Sequence, residues 1–278
     1  MSVINTNVNA VLAQNSLVKN ERAMSSAMEQ LSTGKRINSA ADDAAGMAIA
    51  SKMTAQIRGL DQAGRNINDA VSMIQTAEGA TNEITNMLQR MRELSVQANS
   101  GTYTAADKAN IELEFQALLA GIDNIADNTQ WNGMSILNKA LGADTVFQVG
   151  ANSTQTLTVN LGNLKSDAYV SGSTVGFGVS LSAATSTSVS ILTTLDTALA
   201  AVSTQNAKNG AAINRLEYTA DSLANVSLNT QASRSRIEDA DYAKATTELA
   251  RTQIIQQAGT AMLAQANQQS QGVLALLQ

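Results

Sequence analysis

Apolar residues recur along this chain at alternating steps of three and four, the signature of helices that bury one stripe. The longest run comprises Ile49, Met53, Leu60, Ala63, Ile67, Ala70, Ile74, Ala77, Thr81, Ile84, Leu88, Met91 and Ala98, with Gln56 and Ser95 as polar interruptions. A repeat sustained this far predicts a single helix over about 44–99, which at ~1.5 Å per residue would be roughly 80 Å long and implies a rod. The breaker NSGTYT separates it from a second stripe, Ile111, Phe115, Leu118, Ile122 and Ile125, and either Thr104 or Asp107 is placed to cap the new helix. A connection this short predicts an antiparallel return.

A third stripe lies downstream at Leu192, Leu195, Leu199, Val202, Asn206, Asn209, Ile213, Leu216, Ala220 and Leu223. Its central asparagines admit two readings: buried polar residues that set register, or drift of the stripe onto the surface. The two ends of the chain are thinner. Leu17, Met24, Met28 and Leu31 form a narrow stripe that Gly34 interrupts, and Ile255, Ala258, Met262 and Ala266 form another before the closing VLALL. Stripes this narrow do not hold a helix alone in water, so both ends are expected to order on association, as in an assembly protein.

Between the helical halves the period changes to two. Phe147 and Val149, the turn GANS, then Leu157, Val159 and Leu161 predict a β-hairpin over about 144–162. Residues 167–188 are mostly Ser, Thr, Gly and Val, with Val175, Phe177, Val179 and Leu181 alternating, which fits a short strand or a surface loop.

Composition sharpens the picture. Aromatic residues are 3% of the chain against 44% hydrophobic, so the core is aliphatic, and the lack of proline suits long unbroken helices. With neither cysteine nor histidine, disulfides, thiolate zinc sites, cysteine nucleophiles and Ser-His-Asp triads are excluded. A formal charge of -5 without any Lys/Arg run argues against a nucleic-acid footprint. No stretch of ~18 apolar residues exists to cross a membrane, and the N-terminus lacks the pattern of a cleaved secretory signal.

Candidate chemistry is sparse. Asp42 with Asp43, and the cluster Glu238, Asp239 and Asp241, have the residue types of hard-metal ligands or acid/base pairs. Helix-start carboxylates in the first case, and partners for Arg234 and Arg236 in the second, are the simpler readings. The stretch Gln89-Arg90-Met91-Arg92-Glu93-Leu94 reads as a solvated face or a docking patch. Sequons stand at Asn152 and Asn225, and no glycine-rich phosphate loop is present. The residues therefore describe a non-enzymatic protein without cofactor or metal.

The N-terminal side carries SVINTNVNAVLAQNSL, LSTGKRINSAADDAAGMAIA, LQRMRELSVQANSGT and NTQWNGMSIL, and the C-terminal side SRIEDADYAKATTELARTQIIQQAGTAMLAQANQ and LALL. In these segments the chain resembles the bacterial flagellins, the subunits of the flagellar filament. The resemblance spans about 1–165 and 190–278.

It implies a mainly α fold of long antiparallel coiled-coil-like helices from both termini, forming a rod with a small β-hairpin region at its outer end. Residues 1–42 and 235–278 would form a terminal coiled-coil domain lining the filament core, disordered in the monomer. Residues 43–165 and 190–234 would form the helical rod domain, and 166–189 a Ser/Thr-rich tip where the outer variable domain is essentially absent. Leu17, Met24, Met28, Leu31, Leu249, Ile254, Ile255, Met262, Leu274 and Leu277 would supply the polymerisation interface.

The resemblance further implies export as an unfolded chain through the flagellar type III channel to an extracellular filament. Its implied partners are further flagellin copies, a secretion chaperone on the C-terminal helix, and the filament cap and hook-junction proteins. Gln89, Arg90, Leu94 and Glu114 match the contact patch of flagellins recognised by a vertebrate Toll-like receptor. Within the same superfamily, a hook-filament junction protein is the alternative, and a non-enzymatic adhesin is another.

Overall fold

The computed structural model describes residues 7–138, 144–165 and 188–275, with side chains left undescribed at 188–190 and 269–275. It is mainly helical. In chain order the elements are α1 (Val8–Thr33), α2 (Ala44–Ala98), α3 (Ala105–Asn128), β1 (Gln130–Trp131), β2 (Met134–Ser135), β3 (Thr145–Gln148), β4 (Thr156–Val159), α4 (Ser188–Glu238) and α5 (Tyr242–Ala275). The expected alternation at Val175–Leu181 lies outside the described residues. The chain forms two compact units, Met1–Ile57 with Leu228–Gln278, and Arg58–Ser227.

In the second unit, α2, α3 and α4 share one aliphatic core. Ile67, Ile74, Ile84, Leu88 and Met91 of α2 meet Phe115 and Ile122 of α3 and Leu195 and Leu216 of α4. Three side-chain contacts place α2 and α4 antiparallel. Arg92 donates to Asp196 at 2.7 Å, Asn206 to Asn82 at 3.5 Å, and Ser227 to Asp61 at 3.4 Å. These pairs are spaced identically on both helices (92 to 82 and 196 to 206; 82 to 61 and 206 to 227), so the two repeats run without a slip.

Two parts of the predicted seams move. On α2 the stripe holds from Leu60 onward, but Ile49 is exposed and Met53 only half-buried, while Ala50 and Ile57 are inside. A helix at 3.6 residues per turn drifts against a 3.5-residue repeat, which displaces the stripe after a few turns. On α4 the buried row is Ile191, Leu195, Ala198 and Val202, and the larger Leu192 and Leu199 flank it. Of the two central asparagines, Asn209 is buried and Asn206 half-buried.

Helix α3 begins with a capping box. Thr104 accepts from the Asp107 amide, and the Asp107 carboxylate accepts from the Thr104 amide and hydroxyl. The hairpin of β3 and β4 pairs Phe147 with Leu157 and turns around residues 149–155. A second hairpin, β1 with β2, closes through Asn132 and Gly133, both at positive φ, as a two-residue turn with left-handed backbone.

Candidate assembly surfaces

In the first unit α1 and α5 lie antiparallel in close contact. Contact runs from the Asn7 amide donating to the Ala266 carbonyl at 3.1 Å, past Leu17 against Gly259, to the Asn20 amide donating to the Thr252 carbonyl at 2.7 Å. The seam is built from small or polar residues: Asn20, Ala27, Ala245 and Thr252 are buried. Small side chains let the backbones approach, and Gly259 is the tightest point. A Cβ there would stand 2.6 Å from Leu17 Cδ2.

Many of the larger aliphatic side chains consequently face away. Val8, Val11, Leu12 and Val18 on α1, and Ile254 and Met262 on α5, are exposed; Leu12 and Ile254 are each 67% accessible. This inverts the ordinary arrangement, in which large apolar groups lie inside and small or polar ones outside. The helix pair therefore carries an apolar exterior of the kind that marks an interaction surface.

The residues expected at a polymerisation interface divide between these faces. Leu17, Met24, Leu31 and Leu249 are half-buried, whereas Met28, Ile254, Ile255 and Met262 are exposed. Leu274 lies within α5 with its side chain undescribed, and Leu277 lies outside the described residues. The pattern missed Asn20, Thr252 and the row Val8, Leu12. Asn20 sits at helical spacing between Leu17 and Met24, which was the available signal.

A clasp joins the chain segments just inside the two terminal helices. Gly34, in left-handed conformation, ends α1. Its carbonyl accepts from the Ala240 amide, and the Arg36 amide donates to the Glu238 carbonyl, forming an isolated antiparallel bridge. Lys35 pairs with Glu238 at 2.5 Å, and the Arg36 guanidinium donates to the Ile237 carbonyl at 2.6 Å.

The acidic residues are occupied in the same locality. Arg234 reaches Glu238 at 3.8 Å, but Asp239 accepts from Ser235 rather than from an arginine. Asp241 accepts from the Ala243 and Lys244 amides and so starts α5, which is why the final segment breaks into two helices instead of continuing through 239–241. Asp43 accepts from the Gly46 amide at the start of α2, and Asp42 accepts from Ser39 and Asn38, whose backbone amides hold its carboxyl below the usual range. Among the described residues no group of three acidic, His or Cys side chains is arranged to hold a metal ion, and no helix is long and apolar enough to cross a membrane.

On the second unit, Arg90 forms a fork with Glu114 of α3 at 2.8 and 2.9 Å and reaches Glu93 at 3.0 Å. Hydrogen bonding to Glu114, then to Glu93, raises the guanidinium pKa above its ordinary value. Gln89 is exposed beside it. Leu94 points inward and is 2% accessible, so the stretch presents Gln89, Arg90 and Glu114 but holds Leu94 in the core.

Residues 4–141 match the bacterial flagellin N-terminal helical region, and residues 192–277 the bacterial flagellin C-terminal helical region. The chain is similar to the flagellin of Halalkalibacterium halodurans, 46% identical over 280 residues, and to that of Bacillus subtilis, 43% identical over 301, with 99% of each chain covered. A putative flagellar hook-associated protein from Vibrio parahaemolyticus shares the fold at 15% identity, with a TM-score of 0.57 over 71% of this chain and all of that one. Two matched helical regions in the expected order, an inverted terminal helix pair, and relatives aligned from end to end agree: the chain belongs to the bacterial flagellin family.

Proposed function

We propose that this chain polymerises into the bacterial flagellar filament through its two terminal helices, as a structural subunit working in swimming motility. The observation that carries the reading is the inverted α1–α5 pair, whose large aliphatic side chains face outward while its small and polar ones are buried. Copies stacking helically cover those faces, in a heterologous contact that propagates instead of closing. The terminal pair, about 1–42 with 235–278, lines the filament core and stays unordered in the isolated monomer. Residues 43–165 and 190–234 stand around it as the rod, and 166–189 form the short tip.

The chain leaves the cell unfolded through the flagellar type III channel, without a cleaved signal. A secretion chaperone covers the C-terminal helix beforehand, and assembly occurs at the distal tip between hook-junction and cap proteins. Relatives at 43–46% identity along the whole chain favour a filament subunit over a hook-filament junction protein or an adhesin.

Electron microscopy after seeding in a salting-out buffer tests the reading. Filaments are expected from the full chain and none from a chain lacking 1–40 and 235–278. Filaments from the truncated chain, or monomers from both, overturn it. The exposed Gln89, Arg90 and Glu114 also support recognition of the monomer by the vertebrate Toll-like receptor. In that case Arg90→Asp abolishes receptor activation in a reporter cell, and unchanged activation refutes the assignment.

A further inference from the structure

Helix α3 is tied to α2 by the six residues 99–104, which set its alignment. Helix α4 follows β4 after the 28 residues 160–187, a connection whose length does not by itself fix the alignment of α4 along α2. The apolar row cannot decide it. Ile191, Leu195, Ala198, Val202 and Leu216 face a comparable aliphatic row on α2, and burial is non-directional, so a one-turn slide replaces like with like.

The Arg92–Asp196 pair is exposed, but one polar group at this interface is buried. Gln205 is buried and its amide donates both to the Asn160 carbonyl at 2.7 Å and to Asn209 Oδ1 at 2.9 Å. Asn206 donates across to Asn82 at 3.5 Å. Asn209 is 0% accessible, and its Nδ2 has no protein partner; neither has Asn206 Oδ1. A group of this kind lowers stability relative to aliphatic side chains of similar volume. The bonds that leave the helix exist at one alignment only, whereas the Gln205–Asn209 bond lies within α4 and travels with it. Sliding α4 by a turn carries Gln205 about 5 Å from the Asn160 carbonyl and Asn206 as far from Asn82.

We propose that Gln205 and Asn206, with Asn209 holding the Gln205 amide within the helix, are a polar register key that locks α4 to α2 and to the strand-end carbonyl of Asn160, at a cost in stability. The chain is free of cysteine, so engineered thiols report alignment cleanly. In the full-length monomer, Arg92→Cys with Asp196→Cys reads the observed register through a short bifunctional thiol reagent. Arg92→Cys with Leu192→Cys or Ala200→Cys reads slides of one turn in either direction.

In the parent background only 92 with 196 links. In the Gln205→Leu/Asn209→Leu background at least one shifted pair gains about tenfold in yield. The unfolding midpoint of the Asn209→Leu chain rises by about 2–4 °C. Gln205→Ala with Asn206→Ala, which adds no volume, repeats the crosslinking change without overpacking. Crosslinking confined to 92 with 196 in every background overturns the proposal. So does loss of folding by both the leucine and the alanine variants, because a device that lowers stability is not a requirement for folding.

Discussion

Replacing Asn20 by aspartate places an acceptor where the terminal pair needs a donor. The Asn20 amide meets the Thr252 carbonyl at 2.7 Å, and the residue is only 8% accessible. Losing the hydrogen bond costs about 1 kcal/mol. An ionised carboxylate held against a carbonyl adds about 2 kcal/mol, the lower part of the range for an uncompensated buried charge because solvent reaches the edge of the site.

A total near 3 kcal/mol raises the critical concentration for polymerisation by on the order of 100-fold, while Asn20→Ala, which only removes the bond, raises it about fivefold. Sedimentation of seeded polymer against total protein measures both. Acid distinguishes charge from shape. The unfavourable site raises the carboxyl pKa of Asp in the paired state, so the added penalty is absent below the ordinary value near 3.9 and grows as pH rises through the raised one. The neutral acid also donates to the carbonyl. The Asn20→Asp defect, taken as a ratio to the parent at each pH, therefore shrinks towards pH 4. A variant that assembles at the parental concentration at pH 7, or whose ratio does not change with pH, refutes the placement of Asn20 in the seam.

Two further outcomes follow from the second unit. Thr104→Ala removes the hydroxyl of the α3 capping box and costs about 1 kcal/mol, which lowers the thermal midpoint by about 2–4 °C; an unchanged melt by circular dichroism contradicts the cap. The Asp127 carboxyl is held below its ordinary 3.8 by donation from Asn138 and then Lys165. Since the folded value is depressed, its contribution is present above pH 3.8 and is lost as pH falls through the lowered value, so Asp127→Asn flattens the acid limb of the stability profile measured between pH 5 and 2.

The rod helices were legible because their stripes are long. Over a run such as Leu60 to Met91, an error of one position is corrected by the next turn, and the Thr104 cap is the last of the six breaker residues. Where the stripe consists of alanine, its position is ambiguous: Ala50 is buried where the larger Ile49 is exposed, and Ala198 where Leu199 only flanks the core, which an eye for bulky residues does not anticipate. The same difficulty hides the terminal seam. Its fully buried members are Ala, Asn and Thr, while Leu12, Met28, Ile254 and Met262 point outward, so the large residues mark the outward apolar face better than the contact between the helices. Leu94 fails as an exposed patch residue for a related reason. It stands three residues after Met91, at the edge of the same buried stripe of α2, and the charges around it conceal that position. The break at 239–241 was legible in the chemistry of Asp241 as a cap, a role that pairing it with the nearby arginines obscured.

The terminal seam joins positions far apart in the chain: Asn20 and Thr252 are 232 residues apart, and Asn7 and Ala266 are 259. Whichever end emerges first into a space where folding is permitted, its helix has no mate until nearly all of the remaining polypeptide has arrived. Pairing of α1 with α5 is thus a test of completeness. A chain that stops short of Thr252 leaves Asn20 without its acceptor and its seam uncovered, so it cannot close the pair.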